Sequence, residues 1–511
     1  MNRRNFLVST AALALQTCIS HASAPLQSKS SVPEPDLITK LMRDPLRPQY
    51  HLLPQAGFVG DPCAPRFFRG EYHVFFHGSF DGPGWHHAKS SDLVHWNHLP
   101  IALSPTPGGY DSYGTFTGGV LPVGDGASVV YTGVTKVPRS KETIRAEELR
   151  EVQCIATAMD NDIRVLKKRD KPIIDAPPPG LRTTGFRDPF SWKEGDTWYL
   201  GVGSGFPQVG GAVLLYRSKD TQKWEYLHPL AQGVWNGKSF SNPVPNGEMW
   251  ECPDFFPLGD KHVLIYSTEY TTRWEVGTFD RKQLRFHSEK KGILDDGAYY
   301  APRSMSDSKG RRILWGWIQE TRPSAAVKEA GWSGCISLPR VLTLNASGEL
   351  QIGVAPELGS LRRNTTTVNG GADSSDTLSR AVIHNRAGEI LCTFKTGEDV
   401  CGLELQLRTS VGTTSLIKID YAQTNGRPFV AIGDKLLPVS PDEEGFSTLR
   451  LWVDGSVIET FIDNKRVITT RCYPTAMESG EVLVIWNGSP NLLKSLSISD
   501  IKPISHNRMT T

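Results

Sequence analysis

From Gln49 to about Leu344 the apolar residues come in short runs cut by Gly, Pro, Asp and Asn. Tyr72-His73-Val74-Phe75-Phe76, Ser128-Val129-Val130-Tyr131-Thr132, Trp198-Tyr199-Leu200-Gly201-Val202, His262-Val263-Leu264-Ile265-Tyr266 and Ile313-Leu314-Trp315-Gly316-Trp317 are examples. Each is the length of a strand, and no long stretch keeps the apolar period of an amphipathic helix. The region reads as all-β. Two segments repeat each other, Ser90-Ser91-Asp92-Leu93-Val94-His95-Trp96 and Ser218-Lys219-Asp220-Thr221-Gln222-Lys223-Trp224, each followed by Leu three residues on (Leu99 and Leu227). Equivalent turns at this separation imply repeated sheet units, and repeated four-stranded sheets over residues 46–350 predict a β-propeller, in which radial repetition protects strand edges.

Between Pro356 and Thr377 the text turns polar and Gly-rich, so residues 351–375 are expected to form a linker. Beyond it, alternating stretches such as Gly402-Leu403-Glu404-Leu405-Gln406-Leu407 and Leu449-Arg450-Leu451-Trp452-Val453 predict strands with one buried face, hence a β-sandwich over residues 376–505. Residues from about 505 onward read as a tail.

The chain has 511 residues, 39% hydrophobic and 22% charged, enough for two cores. Its 56 basic and 54 acidic residues leave a formal charge of +2, so no single-sign field is available for nucleic acid or an anionic membrane. A neutral small molecule or oligosaccharide suits that balance. Residues 1–24 carry Arg3-Arg4, an apolar run from Phe6 to about Ile19 and small residues at Ala22-Ser23-Ala24. This is the layout of a cleaved export signal of twin-arginine type, too short to span a membrane, and it predicts a periplasmic or secreted protein. Without Cys18, the seven remaining cysteines are scattered and odd in number, which fits buried free thiols better than disulfides or a zinc site.

Three carboxylates stand in distinctive frames: Asp61 in Gly60-Asp61-Pro62-Cys63, Asp188 in Phe186-Arg187-Asp188-Pro189, and Glu251 in Trp250-Glu251-Cys252-Pro253-Asp254. Two carboxyls flanking one bond, with a third gripping the sugar beside them, are what breaking a glycosidic linkage requires. An Asp before Pro is ordinarily only a turn, and Asp44-Pro45 shows the same dipeptide in a Pro-rich lead-in. The aromatic surroundings of Glu251 predict a desolvated carboxyl held protonated as a general acid, whereas Asp61 has to be ionised to act as a nucleophile. His86-His87 does not read as a metal site, because adjacent strand residues point to opposite faces.

The stretches Arg47-Pro48-Gln49-Tyr50-His51, Asp61-Pro62, Gly70-Glu71-Tyr72-His73 and Ser91-Asp92-Leu93-Val94-His95-Trp96 resemble the opening of glycoside hydrolase family 32, which contains invertases, inulinases, levanases and fructosyltransferases. Phe186-Arg187-Asp188-Pro189, Met249-Trp250-Glu251-Cys252-Pro253-Asp254, Gly331-Trp332-Ser333-Gly334, Ser337-Leu338-Pro339-Arg340 and Val453-Asp454-Gly455-Ser456-Val457-Ile458-Glu459 continue the resemblance in order. It implies a five-bladed β-propeller followed by a C-terminal β-sandwich, and retaining chemistry on β-fructofuranosides with no metal or organic cofactor. By position it makes Asp61 the nucleophile, Glu251 the acid/base and Asp188 the transition-state stabiliser. It also sets Arg187, Trp85, His77, Phe116 and Thr117 around the sugar, while Asp454 and Glu459 are expected to serve the sandwich or the domain interface.

Three motifs depart from the family's pattern. Gly60-Asp61-Pro62-Cys63 stands for the usual Asn-Asp-Pro-Asn, His77 for a usual Gln, and Phe116-Thr117-Gly118-Gly119 for Phe-Ser-Gly-Ser. Gly-Asp-Pro-Cys and the histidine are similar to fungal fructosyltransferases of the family. The readings therefore are a β-fructofuranosidase acting on sucrose or fructans, a fructosyltransferase making fructo-oligosaccharides, and a sugar-binding protein without turnover. Retention of all three carboxylates argues against the last, and the Trp-Glu-Cys-Pro-Asp segment with the attached sandwich argues against an arabinofuranosidase-like enzyme.

Overall fold

The computed structural model describes residues 35–124, 127–138, 149–240, 242–371, 381–474 and 480–505. The export-signal reading, residues 1–24, lies outside them, as does most of the predicted tail.

Residues 57–354 form five sheets, each built around an inner strand. The inner strands are Gly57–Phe68, Gly114–Leu121, Phe186–Glu194, Glu251–Leu258 and Tyr299–Ser306. Each contacts the inner strand of the next sheet, and the fifth returns to contact the first, so the sheets form a closed β-propeller. Residues 332–336 stitch the closure. Trp332–Ser333 runs parallel to Gly57 and Phe58 in the first sheet, and Cys335–Ile336 pairs with Arg312–Ile318 in the fifth. Large side chains fill the seams between sheets, among them Phe75, Trp85 and Tyr131 in one and Phe190, Trp250 and Tyr266 in another. Most strands are thus buried on both faces.

The repeated Ser-x-Asp segments do form equivalent turns. Asp92 Oδ1 accepts from the amides of Val94 and His95 at 2.9 and 2.8 Å, and Asp220 Oδ1 from those of Gln222 and Lys223 at 2.8 and 2.9 Å. Asp280 caps the matching turn of a third sheet through Lys282 and Gln283. Each turn leads from the third to the outermost strand, and its aspartate supplies the acceptor that turn backbone otherwise lacks.

As far as Asn369, the predicted linker is not a loop. Leu350–Val354 is the outer strand of the fifth sheet, Pro356–Leu361 is a 3₁₀ turn, and Arg362–Asn369 is a strand paired with Leu493–Ile501. The run of threonines there is β-branched and suits an exposed edge strand, which composition alone disguises as a linker. The remaining described residues, with Arg362–Asn369, form two six-stranded sheets around their own apolar core, a β-sandwich.

Asp454 and Glu459 join the sandwich to the propeller. Asp454 accepts from the amides of Gln49, Tyr50 and His51, and His51 bridges Asp454 and Glu459 at 2.8 and 2.9 Å. Arg340 then links Glu459 to Asp295. All of these side chains are fully buried. The seven cysteines from Cys63 to Cys472 are buried free thiols.

Candidate active site

The inner strands share one irregularity. In four of them a register shift encloses a residue with left-handed backbone: Ala64 (φ 42°), Asp188 (φ 61°), Cys252 (φ 48°) and Ala301 (φ 51°). Every one precedes a proline, a residue with no N–H to give to a ladder and therefore suited to a bulge. A bulge re-aims the side chains beside it. The position before the left-handed residue carries Arg187, Glu251 and Tyr300 on three consecutive sheets, and these three side chains meet. The backbones come close as well: a Cβ on Gly203 would lie 2.5 Å from the carbonyl oxygen of Trp250 and 2.9 Å from that of Arg187.

Glu251 is held at both oxygens. Arg187 donates to Oε1 through Nε at 3.1 Å and through Nη2 at 2.5 Å, while the Tyr300 hydroxyl donates to Oε2 at 2.7 Å. Arg187 is itself anchored by Glu151, whose Oε1 lies 3.2 Å from Nη1 and whose Oε2 accepts from the Phe186 amide at 2.7 Å. Burial opposes the guanidinium charge, but Glu151, Glu251 and Asp188 outweigh it and raise its pKa.

Asp188 Oδ2 accepts from the Cys252 amide at 2.9 Å, and the Cys252 thiol lies 3.5 Å from the same oxygen and 3.7 Å from Asp61 Oδ2. One sulfur thus touches both aspartates. The Asp188 amide donates to Thr132 Oγ1 at 2.9 Å, and Arg303 donates to the Asp188 and Pro253 carbonyls, which holds the bulged segments of two sheets together. Burial raises the pKa of Asp188 first; Arg187 lowers it and Glu251 raises it. Asp61 Oδ2 accepts from Thr117 Oγ1 at 3.0 Å, and Thr117 Oγ1 lies 3.2 Å from His77 Nε2. Burial, then the charge of Asp188, push Asp61 up to about 7 against the pull of the Thr117 hydrogen bond.

The ionising environment expected for Asp61 is not the one found, since its surroundings push it, like Asp188, towards protonation. The Glu251 side chain keeps 16% of its surface exposed and pairs with Arg187. The aromatic frame of Glu251 faces elsewhere: Trp250 stacks on Tyr266 with ring centres 3.8 Å apart, and Phe255 packs in the same seam. Side chains alternate along a strand, so flanking aromatics do not tell which face the carboxylate takes.

Of the expected sugar contacts, His77, Thr117 and Arg187 gather at the carboxylates, but Thr117 and Arg187 are buried and bonded to Asp61 and Glu251. Trp85 is fully buried, packed near Phe75 and Tyr131, with its indole N–H on the carbonyl of half-buried Phe116 at 3.3 Å. It supports the wall from behind. His86 and His87 stack on Phe76 and Phe75, on opposite faces. Asp44 only caps a turn, accepting from the Leu46 amide and the Trp332 indole.

Tyr300, Glu151 and the Cys252 thiol are contacts the sequence reading missed. Tyr300 had a signal, since Phe186-Arg187-Asp188-Pro189, Trp250-Glu251-Cys252-Pro253 and Tyr299-Tyr300-Ala301-Pro302 all place an aromatic residue three before a proline. Glu151 had none: Glu151 and Gln153 alternate with Val152 and Cys154 as if facing solvent, yet all four are buried.

Acidic side chains brought from separate propeller sheets onto one cluster, one of them gripped by an arginine and a tyrosine, are the groups that a glycosidase uses. The model of the Glycosyl hydrolases family 32 N-terminal domain matches residues 51–353, and that of the Glycosyl hydrolases family 32 C terminal matches residues 357–500. The chain belongs to glycoside hydrolase family 32. It is similar to a sucrose-6-phosphate hydrolase of Escherichia coli, 31% identical over 460 residues, covering 84% of this chain and 90% of that protein. A raffinose invertase of Escherichia coli is 30% identical over 474 residues, with the same coverage of 84% and 90%. Among solved structures, fructan 1-exohydrolase IIa from Cichorium intybus superposes with a TM-score of 0.74 at 25% identity, over 90% of this chain and 98% of that one.

Proposed function

We propose that the protein is a retaining β-fructofuranosidase that releases terminal β-D-fructofuranosyl residues from sucrose or fructans. The observation that carries this reading is the meeting of Asp61, Asp188 and Glu251, through the Cys252 thiol and Arg187, on three inner strands. Asp61 holds Oδ2 on Thr117 and Cys252, and Oδ1 makes no hydrogen bond among the described residues. Oδ1 attacks the anomeric carbon of fructose while Glu251 gives its proton to the departing oxygen. Asp188 Oδ1, likewise without a hydrogen-bond partner among the described residues, receives sugar hydroxyls and faces the positive charge that develops on the ring. In the second half Glu251 takes a proton from water, which attacks the same carbon and releases fructose with Asp61 restored.

The names of the similar proteins, a sucrose-6-phosphate hydrolase, a raffinose invertase and a fructan exohydrolase, support a fructofuranosyl substrate. Incubation with sucrose tests the reading. Fructose and glucose are expected from the wild type and neither from Glu251→Gln at an unchanged melting temperature; full activity in that variant overturns the assignment. Equal amounts of the two sugars mark hydrolysis. Glucose in excess marks transfer to a second sugar.

A further inference from the structure

We infer that His77 is a positioning residue that acts through Thr117 to hold Asp61 ionised and its Oδ1 oxygen free to attack. The inference rests on the role proposed for Asp61. Thr117 has a single hydroxyl hydrogen, and with Asp61 ionised that hydrogen goes to Asp61 Oδ2, 3.0 Å away. His77 Nε2, 3.2 Å from the same hydroxyl oxygen, must then be the protonated ring nitrogen and donate to it. The chain His77 to Thr117 to Asp61 runs one way, each donor polarising the next and all of it favouring the carboxylate.

The neutral ring that this arrangement needs is supplied by its setting, since burial first and neighbouring His86 second hold His77 down at about 4. Its Nδ1 then carries a lone pair with no hydrogen-bond partner among the described residues. A Cβ at Gly60 would lie 2.9 Å from the Phe58 ring and 3.2 Å from His77 Cβ, so the strand beside His77 leaves little space for a side chain before Asp61.

The other groups around Asp61 do not replace the relay. Asp188 and Glu251 oppose its ionisation, and the Cys252 thiol is a weak donor at 3.7 Å. Arg187 is engaged with Glu151 and Glu251, and Arg303 with the Asp188 and Pro253 carbonyls. Cys63 gives its S–H to the backbone oxygen of Asp61 at 3.4 Å. Thr117 is the strongest donor on the Asp61 carboxylate, and His77 is the group that directs it.

The test is the pH profile of kcat/KM for sucrose in wild type, His77→Leu, His77→Gln, Thr117→Val and the Leu/Val double variant. Loss of the relay raises the acidic limb, by roughly 1 to 2 pH units for one hydrogen bond to a charged group. His77→Leu and Thr117→Val should each shift it by that amount, and the double variant by no more than Thr117→Val alone. His77→Gln, whose amide N–H can donate to Thr117, should restore the wild-type limb. An unmoved limb in His77→Leu, or additive shifts in the double variant, overturns the inference. A wild type that releases no fructose from sucrose defeats instead the functional reading beneath it, so the two failures are distinguishable.

Discussion

Tyr300 donates its hydroxyl hydrogen to Glu251 Oε2 at 2.7 Å, the oxygen that Arg187 leaves open. The two residues occupy the same place in neighbouring bulged strands, so the repeat of the fold delivers an acid/base and the group that orients it. Tyr300→Phe should lower kcat on sucrose by roughly tenfold, the loss expected for one hydrogen bond to a charged group. Steady-state rates with a parallel thermal melt check this. A rate within a factor of two of wild type would show that Arg187 orients Glu251 alone.

Glu151 makes no direct approach to the proposed sugar position, yet it anchors Arg187 and the Phe186 amide. Glu151→Ala leaves a buried guanidinium short of a partner, a loss on the order of 3 kcal/mol. A lower melting temperature and a lower kcat should appear together. If the melting temperature falls and kcat holds, the anchor matters only to folding.

Ionised Asp61 costs the folded protein stability. Its folded pKa of about 7 lies above the unfolded value, so the folded state binds the extra proton between about pH 4 and 7. Stability should fall as pH rises through that window and level off above it. Asp61→Asn removes the titration, and its melting temperature should exceed that of wild type by a few degrees at about pH 8 while the two converge near pH 4. An unchanged difference across the range would contradict the burial of this carboxyl.

His51 predicts a slope of the same sign at higher pH, at the domain interface. Burial works against its charge, but hydrogen bonds to Asp454 and Glu459 overcome this and raise its pKa. Burial alone would also push Glu459 up, yet Arg340 and His51 hold it at about 2, so it stays ionised. The stability that charged His51 contributes is complete below its unfolded pKa of about 6.5 and is lost as pH climbs through the raised folded value. Calorimetry should show an alkaline decline in the wild-type melting temperature that His51→Ala lacks. That variant should also melt several degrees lower at about pH 6, because it leaves Asp454 and Glu459 buried without their shared partner.

Much of this was legible in the sequence because strand lengths, turn residues and the three carboxylate frames are local. The Ser-x-Asp turns announced repeated sheets through hydrogen bonds made within a few residues. What was hidden depends on which face a side chain takes. Glu251 lies among aromatics in sequence but beside Arg187 in space, and Arg362–Asn369 reads as a linker because its sheet partner, Leu493–Ile501, is far along the chain. An Asp-Pro dipeptide ordinarily marks a turn, and at 188–189 it is a bulge; proline serves both, and only its recurrence at 65, 253 and 302 separates them.

The account stands on a covalent intermediate at one oxygen. Wild type mixed with sucrose, quenched in acid within the first turnovers, digested and examined by mass spectrometry, should carry a hexosyl ester on the peptide containing Asp61. An ester on any other residue, or the α-anomer of fructose released at the first turnover of the wild type, would contradict it.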